Sequence, residues 1–174
     1  GGIWLPVLPE ITHEGIDRLA KLIARENEAS MAPSALRRLA ALVPADAAIA
    51  DQIGARLKLS NKARKRLITA LETASAPEGP RALAHRVGVE GAIDRILLDP
   101  AASLSALALL DGWTPPSLPI GGGALIARGL QPGPDIARAL QEVQKSWVAE
   151  DFPDADRVSE IADQIVSKFQ RTRQ

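Results

Sequence analysis

Residues 124–140 read Ala124-Leu125-Ile126-Ala127-Arg128-Gly129-Leu130-Gln131-Pro132-Gly133-Pro134-Asp135-Ile136-Ala137-Arg138-Ala139-Leu140. Apolar residues at helical spacing stand on both sides of a short run of glycine and proline, which predicts helix, tight turn, helix. Gly129 is placed to end the first helix and Gly133 to give the turn its backbone freedom. Pro134 presets the dihedral of the next helix's first turn. The apolar stripe continues through Ile136, Leu140, Val143 and Trp147, so Trp147 is expected in a core rather than as a stacking platform for a base. Two readings of the turn stand side by side. Free amides at its tip suit a nucleic-acid phosphate. Asp135, in the following first turn, repels a phosphate and favours a corner that only packs.

Working outward, the same periodicity covers nearly the whole chain. There is no tyrosine and aromatics make up 3%, and alternating β-branched runs are absent, so strands have little to form from. The expected fold is all-α, an irregular multi-helix array of about eight or more helices, with a helix–glycine hairpin–helix near the C-terminus. The last helix should begin near Pro153 and carry Val158, Ile161, Ile165 and Phe169 inward. Upstream, Thr114-Pro115-Pro116-Ser117-Leu118-Pro119-Ile120-Gly121-Gly122-Gly123 is too rich in proline and glycine to be regular. It divides a helical body, 1–112, from a helical tail, 113–174. In the body, Thr12 should cap a helix with Ile16, Leu19 and Ile23 inward. A second helix takes Pro33 into its first turn and turns Leu36, Leu39 and Leu42 to one side. Asp46 caps a third, with Ile49, Ile53 and Leu57 inward. Ser60 caps a fourth, running to Ser75 with Leu67 and Leu71 buried. Pro77–Pro80 is a break, followed by short helices over 81–87 and 91–98. A further helix passes through Leu104, Leu107 and Leu110 and ends at Gly112.

Composition narrows the function. A chain of 174 residues is long enough for one large or two small domains without staples. It has no cysteine, which excludes disulfides and zinc–thiolate sites and fits a cytoplasmic setting. His13 and His85 lie far apart with no ligand-like spacing, so no metal site is expected. No apolar run reaches the ~20 residues that span a bilayer, so no membrane partner is expected, and Gly1–Pro6 lacks the pattern of a signal peptide. The 21 basic residues balance 21 acidic ones, which argues against bulk capture of nucleic acid and leaves local basic patches.

Three constellations are candidates for chemistry. Lys62, Arg64, Lys65 and Arg66 crowd the start of the fourth helix. They suit phosphate contacts, and they also suit the solvated face of an amphipathic helix. Cations at a helix N-terminus oppose its dipole, which favours a functional reason for them. In the hairpin, Arg128, Gly129, Gly133 and Arg138 are the candidate phosphate contacts. Asp154-Ala155-Asp156 has the spacing of a two-metal carboxylate pair, but it stands at a helix start with no strand, where acids are expected for dipole reasons. No catalytic residue is expected in the chain.

Three segments carry a family resemblance. They are Leu118–Ile126 with Gly129-Leu130-Gln131-Pro132-Gly133-Pro134 and Ile136–Leu140; Arg37–Leu42 followed by Ala55-Arg56-Leu57-Lys58-Leu59-Ser60-Asn61; and Arg81-Ala82-Leu83-Ala84-His85-Arg86-Val87-Gly88. Together they resemble the C-terminal part of bacterial-type CCA-adding tRNA nucleotidyltransferases and poly(A) polymerases, over about Arg37 to Phe152. Members of that family often have a polar or acidic residue where this chain has Gly121-Gly122-Gly123. Their catalytic head, with a glycine-containing loop and an Asp-x-Asp pair on a sheet, has no counterpart in these residues. The resemblance therefore implies the body and tail of such an enzyme. It would hold tRNA or another RNA by shape and backbone, next to its own N-terminal head, where Mg2+ would sit. A helical protein-interaction scaffold without RNA contact is the alternative. A shared face for Lys62, Arg64, Lys65, Arg66, Arg128 and Arg138 favours RNA; a scatter favours the scaffold.

Overall fold

The computed structural model describes residues 8–72 and 78–172. Trp4, the helix end expected at Ser75, Pro77 and the last two residues lie outside the described residues. The chain divides into two compact units, Gly1–Pro115 and Pro116–Gln174. The division falls after Pro115 rather than after Gly112, because Trp113 packs against the cluster of Leu83, Ile96 and Leu110 in the first unit. Among the described residues there are nine α-helices, one 3-10 helix and no strand, so the protein is all-α. No helix among them is long and apolar enough to cross a membrane.

The first unit contains α1 (His13–Glu28), α2 (Ala35–Leu42), α3 (Ala47–Arg56), α4 (Asn61–Leu71), α5 (Pro80–Val87), α6 (Val89–Leu98) and a 3-10 helix (Leu104–Leu109). Three of the helix starts have the side-chain caps expected of them. The Thr12 hydroxyl accepts from the Gly15 amide at 3.3 Å, the Asp46 carboxylate from Ala48 and Ile49, and the Ser60 hydroxyl from Ala63. Each such cap contributes about 1 kcal/mol. The second helix departs from expectation: Ser34 is its cap, accepting from the Arg37 amide, so Pro33 lies outside it. The Leu104, Leu107, Leu110 segment is 3-10 rather than α, and its spacing of three matches the 3-10 period.

The buried faces of α1 and α2 are also rotated from the expected ones. Ile16 is 42% exposed, while Gly15, Leu22 and Glu26 are buried. Leu36, Leu39 and Leu42 are half-buried, and Arg37, Ala40 and Ala41 take the interior. Two features cause the rotation. Gly15 lets the helices touch, since a Cβ there would stand 2.2 Å from the Leu42 carbonyl oxygen. Second, Arg37 is drawn inside by charge. Its Nε donates to Asp94 at 2.8 Å and its Nη1 to Glu26 at 2.6 Å. Arg38 adds two bonds to Glu26, and Arg66 two to Asp94. This network joins α1, α2, α4 and α6.

Two arginines of α1 finish other helices. Arg18 donates to the carbonyls of Ala41 and Val43 at the end of α2. Arg25 donates to Ile96 and Leu97 at the end of α6 and to Ala102 in the turn that follows. Last-turn carbonyls have no partner within their own helix, and the negative end of the dipole favours a cation there.

The second unit contains α7 (Gly122–Ala127), α8 (Pro134–Ala149) and α9 (Ala155–Thr172). Leu125, Leu130, Val143, Trp147, Val158, Ile161 and Val166 form its core. Trp147 is 2% exposed, donates from Nε1 to the Pro153 carbonyl at 2.9 Å and meets Phe152 edge-on. It is a core residue, as its spacing implies. After α7 the Gly129 amide bonds to Ile126 and the Leu130 amide to Leu125, which is a Schellman ending with its apolar contact between Leu130 and Leu125. Ile126, expected in the packing, is 43% exposed, and Leu125 alone of that pair is buried. Gly122 admits Ile136: a Cβ there would lie 2.9 Å from Ile136 Cγ2. Of the Gly121–Gly123 run, Gly122 alone serves the close approach of α7 to α8.

Two substitutions probe this packing. Asp94→Ala removes the acceptor for two arginines and leaves buried charge unmatched, so it should lower unfolding free energy by about 3–5 kcal/mol. A denaturation midpoint equal to the parent's contradicts a structural role for the network. Gly133 has φ +150° and ψ −169°, with nothing within 4 Å of a Cβ built there. Gly133→Val should therefore lower stability by about 1–3 kcal/mol through backbone strain alone, with Pro134→Ala milder. Thermal melts that rank the two the other way sink this reading.

Candidate nucleic-acid interface

From Asn61 onward α4 turns 3.6 residues at a time. That puts Lys62, Lys65, Arg66 and Thr69 on one side of it. Facing them, α5 ends and α6 begins across Val87-Gly88-Val89, which brings up Arg86 and Glu90. A groove of about 670 Å³ lies between. α6 opens with no side-chain cap, so the electropositive end of its dipole adds to the field of the cations.

The cations differ in freedom. Lys62 and Lys65 are exposed and make no ion pair with any other described residue. Arg66 is 21% exposed: its Nε and Nη2 are held by Asp94 and its Nη1 lies 3.2 Å from Glu90. The Asp94 hydrogen bond, opposed by partial burial, raises the Arg66 pKa above the ordinary arginine value. Arg86 bonds to Glu78, which raises its pKa in the same way, and Glu72 stands 4.0 Å away. Arg64 points elsewhere. It donates to Asp51 of α3 at 2.6 Å, with its stem over Gly54.

The six cations divide between the units, four on α4 and two in the second unit. There, Arg128 donates to the Ala124 carbonyl, Ser159 and Asp163, and so straps α7 to α9. Arg138 is 71% exposed and 3.3 Å from Asp135. Gly129 has φ +92° and ends α7, and Gly133 precedes α8. Both have conformational roles in the corner. Asp154 accepts from the Arg157 amide at 3.0 Å, so it caps α9 rather than pairing with Asp156. No group of three or more His, Asp or Glu side chains among the described residues is placed to hold a metal ion.

A larger cleft in the first unit, about 820 Å³, is mainly apolar. Its Arg18 and Arg25 are the residues that finish α2 and α6, and its remaining charges are of both signs, Lys21 and Arg95 with Glu72, Glu78 and Asp99. The α4–α6 groove has the better set for an anion. Sequence reading reached Lys62, Lys65 and Arg66 but missed Arg86. The signal for Arg86 was its place in the last turn before Gly88, and it shows only once α5 and α4 are set side by side. No protein-family model matches the chain, and neither a curated protein nor a solved structure is significantly similar to it.

The geometry separates the four cations of α4. If the groove takes RNA, a Lys62→Ala, Lys65→Ala double variant should flatten the salt dependence of that binding by about 0.7 to 0.9 for each phosphate no longer neutralised. Arg64→Ala should leave the slope unchanged. Equal slopes for the two variants in a titration of log affinity against log salt would remove the groove as the RNA-binding surface.

Proposed function

We propose that this chain is the RNA-holding C-terminal region of an enzyme like the CCA-adding tRNA nucleotidyltransferases and poly(A) polymerases. The observation that carries the proposal is the groove, where Lys62 and Lys65 stand free beside Arg66, Arg86 and the uncapped start of α6. The three sequence segments that resemble the family support it. On this reading the groove grips phosphates of tRNA or another RNA by backbone and shape, with no base readout. Addition of nucleotides falls to a template-independent transferase head outside these residues, with its Mg2+. Among the described residues no side-chain group fits such a metal site. The setting on this reading is cytoplasmic.

The alternative, a helical protein-interaction scaffold without RNA contact, draws on a specific observation. Arg64, Arg66, Arg128 and Arg138 all have acidic partners within the chain. A face whose charges are matched internally suits a protein partner better than a phosphate strand.

The two readings part in one experiment. Purified chain is titrated into labelled tRNA at several salt concentrations, and in parallel incubated with tRNA, CTP, ATP and Mg2+. The RNA-holding reading expects weak, salt-dependent binding and no incorporation. Absence of binding at low salt favours the scaffold. Incorporation of nucleotide by the chain alone refutes the proposed division of labour.

A further inference from the structure

Glu90 is out of place in a phosphate groove. It lies in the first turn of α6, where a carboxylate is favourable to the helix, yet it is 65% exposed and its Oε2 sits 3.2 Å from Arg66 Nη1. The rest of the Arg66 guanidinium is committed to Asp94, which is buried and reached from Nε at 2.6 Å and from Nη2 at 3.0 Å, with Nη2 also donating to the Ser34 hydroxyl at 3.4 Å. Arg66 is therefore fixed in direction, and Nη1 is the edge it offers to the groove. The group now on that edge is an exposed carboxylate on a flexible side chain.

Resting on the RNA reading above, we infer that Glu90 is the affinity-setting residue of the groove: its carboxylate occupies on Arg66 the place that an RNA phosphate takes, so binding is an exchange of one anion for another. A carboxylate and a phosphodiester both offer an anionic oxygen that accepts a charge-assisted hydrogen bond from a guanidinium N–H such as Nη1. Arg66 keeps its Asp94 bonds throughout, so the exchange needs no movement of α4 or α6. Only the Glu90 side chain swings into solvent. The other carboxylate of the groove, Glu72, stands 4.0 Å from Arg86, which Glu78 also holds. No single ion pair there is poised for the same exchange.

The test is a pair of charge-removing variants, Glu90→Gln in the groove and Glu28→Gln at the exposed end of α1. Both change net charge equally, and both glutamines keep the side chain's size. Equilibrium titrations with a tRNA transcript, at several salt concentrations, read affinity and slope, and thermal melts check folding. Glu90→Gln should bind about two- to fivefold more tightly, the range expected when one exposed ion pair no longer competes. Its salt slope should steepen by about 0.7 to 0.9, because in the parent the displaced Glu90 carboxylate takes up a counterion and offsets one of those the RNA releases. Glu28→Gln should match the parent. Binding by the parent with no gain in Glu90→Gln, or an equal gain in Glu28→Gln, overturns the exchange and leaves the RNA reading standing. If neither the parent nor Glu90→Gln binds RNA, the RNA reading falls and this inference with it. Glu90→Ala, which also clears the edge of Arg66, should repeat the gain if Glu90→Gln proves unstable.

Discussion

Arg37 holds two carboxylates at once, Glu26 through Nη1 and Asp94 through Nε, and all three residues are at most 4% exposed. Placing ions there is costly in desolvation, and a well-packed apolar core would often be as stable. What the network contributes is direction. A guanidinium fork reaches two carboxylates only at a defined rotation of its helix, so Arg37 sets how α2 faces α1 and α6. Arg38 closes the outer side of Glu26 and Arg66 the outer side of Asp94. No buried side-chain polar atom among the described residues is left without a partner. A network satisfied in that way tolerates little adjustment, since any shift leaves a charge unmatched in a poorly screening interior.

The same constraint explains which parts of the fold were legible. Helix starts were, because a cap is a local event: Thr12, Asp46 and Ser60 each bond to an amide two or three residues on. The Trp147 stripe was legible because the second unit is built on apolar periodicity with no competing polar centre. The inward faces of α1 and α2 were not. Leucines at helical spacing predict the inward side only if nothing else claims it, and here Glu26 and Arg37 do. Their partner Asp94 lies 57 residues beyond Arg37, and no local pattern announces a bond of that length. The remaining signal was Asp94 itself, which stands after Ile93 and before Arg95, and an Asp-Arg pair reads as a surface position.

The candidate site divides in the same manner. The cluster Lys62, Arg64, Lys65, Arg66 was visible as composition, but its four members do three different things. Lys62 and Lys65 stand in the groove, Arg64 ties α4 to α3, and Arg66 is the outer arm of the buried network. Helical geometry separates Arg64 from the others, since it falls two residues from Lys62 and off that face. The distinction between Arg66 and the lysines needed the position of Asp94. In the hairpin, Gly129 and Gly133 were recognised from turn chemistry, while the strap from Arg128 to α9 depends on Ser159 and Asp163, which arrive from more than thirty residues away.

Zero net charge and a locally cationic groove are compatible for a reason of range. At physiological salt the field of a charge decays over about 8 Å, so a phosphate in the groove feels Lys62, Lys65, Arg66 and Arg86 and is largely blind to acids elsewhere on the surface. What it does feel nearby is Glu90 and Glu72. The buried network thus acts on the groove twice. It fixes the guanidinium of Arg66 at the wall, which lowers the entropy lost when an anion is gripped. It also uses Asp94 to match part of that charge, which limits how strongly Arg66 can pull. No one cation of the groove is both free and fixed: Lys62 and Lys65 make no ion pair with another described residue, while Arg66 is held by Asp94 and Arg86 by Glu78.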